Sequence, residues 1–223
     1  MHLNISEHFS GTIQGEGRYA GHLASFLRVA GCNLTCSWCD SAYTWDWGKY
    51  DHAQEVRQME IEEVSDVVRR MKGRIVVTGG EPLLQSAGLG YVLSRFADTR
   101  LFDLETNGTR PLGATLGMWA SITCSPKVIP SADQGNLARR IHADMINYAD
   151  FKFVIRDGAD LDATDAFIEE HGISPSRVWL MPEGTNAQTI TDRTPAVANA
   201  AVDRGMNFSS RLHVYAWGDE RGH

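Results

Sequence analysis

Gly31-Cys32-Asn33-Leu34-Thr35-Cys36-Ser37-Trp38-Cys39-Asp40 is the stretch on which the reading of the whole chain turns. It holds three of the four cysteines, spaced C-x3-C-x2-C. Three thiolates that close in sequence can wrap one corner of a [4Fe–4S] cube and bind three of its irons. No fourth cysteine lies nearby, which leaves one iron open to a ligand that is not protein. An open metal position marks a reactive site, whereas a fully ligated cluster suits electron storage. The competing reading of the same spacing is a structural zinc loop or three buried thiols.

Working outward, residues 23–29 (Leu-Ala-Ser-Phe-Leu-Arg-Val) read as a strand that delivers the chain into this loop. Residues 43–58 have no clear period and read as an insertion over the site. Ile61, Val64, Val67, Val68 and Met71 recur at helical spacing. Residues 74–78 are then a buried strand running into Gly79-Gly80-Glu81-Pro82, and Leu89, Val92, Leu93 and Phe96 mark the next helix. Strands follow at 101–106, 120–124, 151–155 and 178–181. Thr185 and Gln188 have the spacing of a capping box for a helix through about Arg204. Residues 212–217 read as a last strand. This alternation predicts an α/β fold with a parallel sheet, a partial β/α barrel of about six strands, whose polar and Gly-rich clusters sit at the carboxyl ends of the strands.

The bulk numbers agree with one domain over residues 1–223: the chain has 223 residues, 43% of them hydrophobic, enough for one sizeable core. No apolar run approaches the roughly 18 residues that span a bilayer. Met1-His2-Leu3-Asn4-Ile5-Ser6-Glu7-His8 lacks a basic region and an apolar signal core, so a cytoplasmic protein with reduced cysteines is expected. The net charge of -7 argues against a broad grip on nucleic acid or an anionic membrane, though a small anionic substrate needs only a few local cations.

Several residues have chemistry in reach. Gly79 and Gly80 let a ligand approach the backbone, and Glu81 can accept from an ammonium group. Gln14 and Glu16, flanked by Gly15 and Gly17, can present an amide and a carboxylate to a purine-like or pterin-like edge. Arg28 can clamp a carboxylate bidentately. Cys124 reads as a buried thiol, and His8 and His213 as structural or surface histidines.

The cysteine loop followed by Gly79-Gly80-Glu81-Pro82 resembles the radical S-adenosylmethionine superfamily. Finer motifs are Glu7-x-Phe9-x-x-Thr12-Ile13-Gln14-Gly15-Glu16-Gly17, Phe26-Leu27-Arg28-Val29-Ala30-Gly31-Cys32, Thr78, Glu105-Thr106-Asn107-Gly108-Thr109 and Ser125-Pro126-Lys127. Together these resemble the 7-carboxy-7-deazaguanine synthase family, densely from residue 7 to about 127 and then only at 152–154, 180–184 and 211–213. The resemblance implies conversion of 6-carboxy-5,6,7,8-tetrahydropterin to 7-carboxy-7-deazaguanine with loss of ammonia. It also implies a [4Fe–4S] cluster on Cys32, Cys36 and Cys39, catalytic use of S-adenosylmethionine, and magnesium, for which Ser41 is the implied ligand. Trp38, Gly80, Glu81, Glu105, Asn107, Ser125, Pro126, Lys127, Met181, Pro182, Glu183 and Gly184 are implied on the cofactor side. Ile13, Gln14, Gly15, Glu16, Arg28 and Thr78 are implied on the substrate side, within an N-terminal segment at about 7–20 and the first strands. A homodimer and an external electron donor of flavodoxin or ferredoxin type belong to the same expectation. Two features depart from the family: Ser41 where threonine is common after Cys-Asp, and the ending Trp217-Gly218-Asp219-Glu220-Arg221-Gly222-His223. The rival readings are another small radical enzyme acting on a partner's glycine, and a non-enzymatic metal-binding module.

Overall fold

Period-two alternation along the central strands sends one set of side chains to the helices and the other into a cleft. The computed structural model describes residues 1–128 and 140–223. One nine-stranded sheet runs β3-β1-β2-β4-β5-β6-β7-β8-β9. Its strands are β1 (His2–Ile13), β2 (Leu23–Val29), β3 (Arg57–Glu60), β4 (Arg74–Gly79), β5 (Phe102–Thr106), β6 (Ala120–Cys124), β7 (Ala149–Ile155), β8 (Val178–Pro182) and β9 (Asn207–Phe208). From β2 to β9 every neighbour is parallel, and β1 pairs antiparallel with both β2 and β3. The sheet does not close on itself, so it is a partial barrel, with six longer parallel strands and three extra ones at the edges.

Leu27, Val29, Ile75, Val77, Leu104, Phe151, Phe153 and Leu180 belong to one buried cluster. They meet Val64 and Val68 of α2 (Ile61–Arg70), Leu89 and Leu93 of α3 (Ser86–Ser94), Leu116 of α4 (Gly113–Trp119) and Phe167 of α6 (Gly158–His171). The intervening residues face the other way. Ala24, Phe26 and Val76 form a small apolar floor with Phe9, and above it Arg28, Thr78, Glu105, Lys152 and Met181 line a cavity. A parallel strand buried on both sides looks continuously apolar until one polar residue marks its open face.

Two expectations change, and one strand is new. His2–Ile13, to which the sequence reading gave no element, form β1, whose register slips between Ile5 and Glu7 and again between Ser10 and Thr12. Those bulges break the alternation that would have announced it. Residues 212–217 form a short helix, α8 (Leu212–Trp217), not a strand. The sheet edge beside β8 is already occupied by β9, only Val214 of the segment is buried within it, and the bonds Val214 N–H to Arg211 O (3.1 Å) and Gly218 N–H to Val214 O (2.9 Å) are local. The cap of α7 (Ala187–Asp203) sits one residue later than expected: Asn186 accepts from Thr189 N–H at 2.9 Å, and Gln188 bonds Asp192 instead. The insertion at 43–58 carries a 3-10 turn, Ala42–Thr44, and the four-residue α1 (His52–Glu55), then enters β3.

Candidate active site

The cysteine loop leaves β2 where that strand runs beside β4, with Val29 in register with Gly79. Gly80 N–H donates to Val29 O (3.1 Å) and Glu81 N–H to Gly31 O (2.8 Å), so the two strand ends are sewn together. A Cβ on Gly80 would stand 2.1 Å from Gly31 O, which is why this contact needs glycine. Cys32, Cys36 and Cys39 then face one cavity of about 450 Å³, and no disulfide joins them. Leu34 N–H points at Cys32 Sγ (3.4 Å), Trp45 Nε1–H at Cys39 Sγ (3.3 Å), and Asn107 Nδ2 lies 4.0 Å from Cys32 Sγ. Such donors favour sulfur in its charged, metal-bound form. Burial, partly opposed by the Leu34 N–H, pushes the Cys32 thiol up to about 11, so metal must displace a proton to bind there. Among the described residues no three His, Cys, Asp or Glu side chains gather tightly enough to hold a single metal ion. Three thiols on the wall of one cavity are the ligand set of a cube corner.

Around the thiols, Trp38, Gly80, Asn107, Ser125, Lys127, Met181 and Glu183 line the cavity. Lys127 Nζ donates to Ser125 Oγ (2.9 Å) and lies 5.3 Å from the centre of the Trp38 ring. Glu81 is corrected. Its side chain is fully buried away from the cavity, accepting from Leu83 N–H (2.9 Å), Thr106 Oγ1–H (2.8 Å) and Asn107 N–H (2.7 Å). It braces the ends of β4 and β5, and burial raises its pKa despite those donors. Pro126, Pro182 and Gly184 also fall outside the cavity wall: Pro126 is buried between Ser125 and Lys127, which line the wall, Pro182 closes β8, and Gly184 turns its carbonyl to Arg211 Nη1 at 2.6 Å.

Of the residues that the resemblance implies for substrate, Ile13, Gln14, Glu16, Arg28 and Thr78 line the cavity and Gly15 does not. Gly15 is small for packing: a Cβ there would meet His213 Nδ1 at 1.9 Å. Glu105 joins this side rather than standing apart from it, because it accepts from Gln14 Nε2 (3.2 Å) and Thr78 Oγ1 (3.1 Å). Arg28 Nε donates to Glu7 Oε1 (2.8 Å), which also accepts from Tyr43 OH (2.7 Å). Glu7 therefore anchors one edge of the guanidinium beside the cavity. Ser41 lines the wall with its Oγ 3.7 Å from Cys39 Sγ.

Sequence reasoning left several wall residues without a role. Lys152 and Arg211 both pair with Glu16, at 2.5 Å and 2.8 Å, and Arg211 also reaches Asp40 of the cysteine loop. Burial alone would raise the Glu16 pKa, but Lys152, Arg211 and His213 together bring it well below the ordinary value. Burial lowers the pKa of His213, which is a wall residue rather than a surface one. Residues 219–223 fold back over the cavity, where Arg221 lies 3.8 Å from the centre of the Tyr43 ring and pairs with Glu55 at 3.0 Å. One signal for Lys152 was available: a lysine between Phe151 and Phe153 of a buried strand must face opposite to them. Cys124 is fully buried, packed against Gly108, as a thiol apart from the loop.

A partial barrel with three thiols at the end of its first parallel strand is the frame of a radical S-adenosylmethionine protein, and the model of the Radical SAM superfamily matches residues 27–118. The crystal structure of QueE from Escherichia coli superposes with a TM-score of 0.74 at 25% identity, covering 95% of each chain. The 7-carboxy-7-deazaguanine synthase of Hyperthermus butylicus is 32% identical, over 95% of this chain and 92% of that one. That of Pyrobaculum aerophilum is 31% identical, over 95% and 93%. The chain belongs to the 7-carboxy-7-deazaguanine synthase family.

Proposed function

We propose that this radical S-adenosylmethionine enzyme converts 6-carboxy-5,6,7,8-tetrahydropterin to 7-carboxy-7-deazaguanine with loss of ammonia, as a lyase of 7-deazapurine biosynthesis. The observation that carries the reading is one cavity that holds the cysteine loop on one wall and Gln14, Glu16, Arg28, Thr78 and Glu105 on another. When bound, the cluster and S-adenosylmethionine supply a one-electron cleavage that lets a carbon-bound hydrogen be taken from the substrate. The chain's own residues bind and orient. Arg28, with Nε held by Glu7, offers its two Nη groups to the substrate carboxylate. The Glu16 and Glu105 carboxylates accept from the N–H groups of the aminopyrimidinone edge of the pterin, and the Gln14 amide N–H donates to it. Gly79, Gly80 and Trp38 line the cavity, where the glycine backbone would admit the methionyl end of the cofactor and Trp38 would pack near its adenine.

Magnesium at Ser41, which is flanked by the carboxylate of Asp40, completes the proposal: a hard cation with oxygen ligands suits a substrate carboxylate. An external donor of flavodoxin or ferredoxin type supplies the electron. A homodimer and a cytoplasmic location are carried over from the family. Among the described residues no helix is long and apolar enough to cross a membrane. The test is an oxygen-free assay of protein reconstituted with iron and sulfide, given reductant, S-adenosylmethionine, magnesium and the tetrahydropterin. The expected result is the deazapurine by mass, with S-adenosylmethionine recovered and ammonia released. No product from protein with an intact cluster would sink the reading.

A further inference from the structure

Lys152 is the polar residue of the cavity that the family motifs leave least explained. It projects from β7 on the open face of the sheet, with 6% of its surface exposed, and its Nζ stands 2.5 Å from Glu16 Oε2 and 3.4 Å from Glu105 Oε1. Its two partners come from separate elements, Glu16 from the turn after β1 and Glu105 from the end of β5. Between β5 and β7 lies β6, whose residue in register with Glu105 is the short Thr123, leaving room for the lysine to reach across. An ammonium costs free energy to bury, and as a simple brace an apolar side chain would hold the fold at least as well. Arg211 already satisfies Glu16 Oε1 at 2.8 Å, so Glu16 alone does not call for a second buried cation. What Lys152 adds is the link between two carboxylates that would otherwise repel each other across the same cavity.

We propose that Lys152 is a positioning residue for the reaction: by bridging Glu16 and Glu105 it holds both carboxyl groups in one orientation as a pair of acceptors for the N–H edge of the pterin. This rests on the reading given above and deepens it. Glu105 also holds the Gln14 amide and the Thr78 hydroxyl, so the lysine fixes four polar side chains through two contacts. The charged and titratable groups facing this pair are Arg211 and His213 from the C-terminal segment and Asp40 from the cysteine loop through Arg211. Removing the ammonium leaves two part-buried carboxylates with one nearby guanidinium, and the pKa of Glu16 rises as it loses the charge of Lys152.

The experiment uses Lys152→Met and Lys152→Gln in the full chain, with cluster content and visible absorption checked against wild type. Equilibrium binding of the pterin, with S-adenosylmethionine present and reductant withheld, is titrated from acid to neutral pH beside the turnover assay. Both variants are expected to keep the cluster, to bind pterin about tenfold more weakly at neutral pH, and to shift the acid limb of kcat/KM upward by about one pH unit, with kcat less affected than KM. Unchanged affinity and an unmoved acid limb in both variants overturn the proposal. Loss of fold and cluster in both also overturns it, since Lys152 would then be a structural brace. The two readings fail separately: a wild type that makes no deazapurine defeats the function, while an active wild type with indifferent variants defeats only the role of Lys152.

Discussion

The two walls of the cavity are built on opposite principles. The metal wall is local, three cysteines within the stretch 32–39 placed by a single strand end. The polar wall is assembled from afar: Gln14 meets Glu105 across 91 positions, Lys152 meets Glu16 across 136, and Arg211 meets Glu16 across 195. A local loop keeps its ligands even when the rest of the molecule loosens, whereas the polar wall exists only when the sheet is complete. Their electrostatics differ as well. Burial alone dominates Cys32 and disfavours its charge, so that wall needs the metal to become ionic. Glu16 is buried too, but its cations outweigh the burial, so that wall is ionic in advance.

The largest expected effect separates the walls outright. Cys36→Ala removes a proposed cluster ligand, so turnover is expected to fall below detection and iron and sulfide analysis to show the loss, while far-ultraviolet circular dichroism stays that of wild type; a variant retaining a full cluster would break the comparison. Next comes Glu16→Gln. Because its folded pKa lies below the ordinary 4.5, its contribution to stability is complete above that pH and is lost as pH falls through the folded value. Chemical denaturation should therefore show the variant less stable by ~3 kcal/mol at neutral pH, with the gap closing below 4.5; a gap independent of pH would mean that the wall is not ionic in advance. Gly80→Ala tests how firmly the strand ends are sewn: overpacking against Gly31 O should cost about 2 kcal/mol and lower cluster content. The smallest effect is expected of Arg221→Ala, which loosens the tail at Glu55 and Tyr43. Its ion pair is half exposed, so a rise in KM of about two- to threefold with unchanged kcat is expected, and an unchanged KM would show that the tail does not help to close the cavity.

Legibility followed the same division. The C-x3-C-x2-C spacing, the glycines at 79 and 80 and the strand at Leu23–Val29 act through neighbours in the chain and were readable. The acidic chemistry of Glu81 says nothing of direction: the donors at Leu83, Thr106 and Asn107 hold its carboxylate off the cavity wall. Gly15 was read as a ligand contact, yet its smallness answers to His213, nearly two hundred residues on. The C-terminal segment alternates apolar and polar residues like a strand, and only the occupied sheet edge makes it a helix.

What the sequence determined by itself was the metal chemistry and the strand–helix alternation, because spacing within a few residues and side-chain period are properties of the local backbone. What only the tertiary structure decided was which charges meet: Lys152 and Arg211 find Glu16, Glu7 takes Arg28, and the tail lies over the cavity. Electrostatic pairing depends on distance in space, and that distance is set by how the sheet curls once every strand is in register.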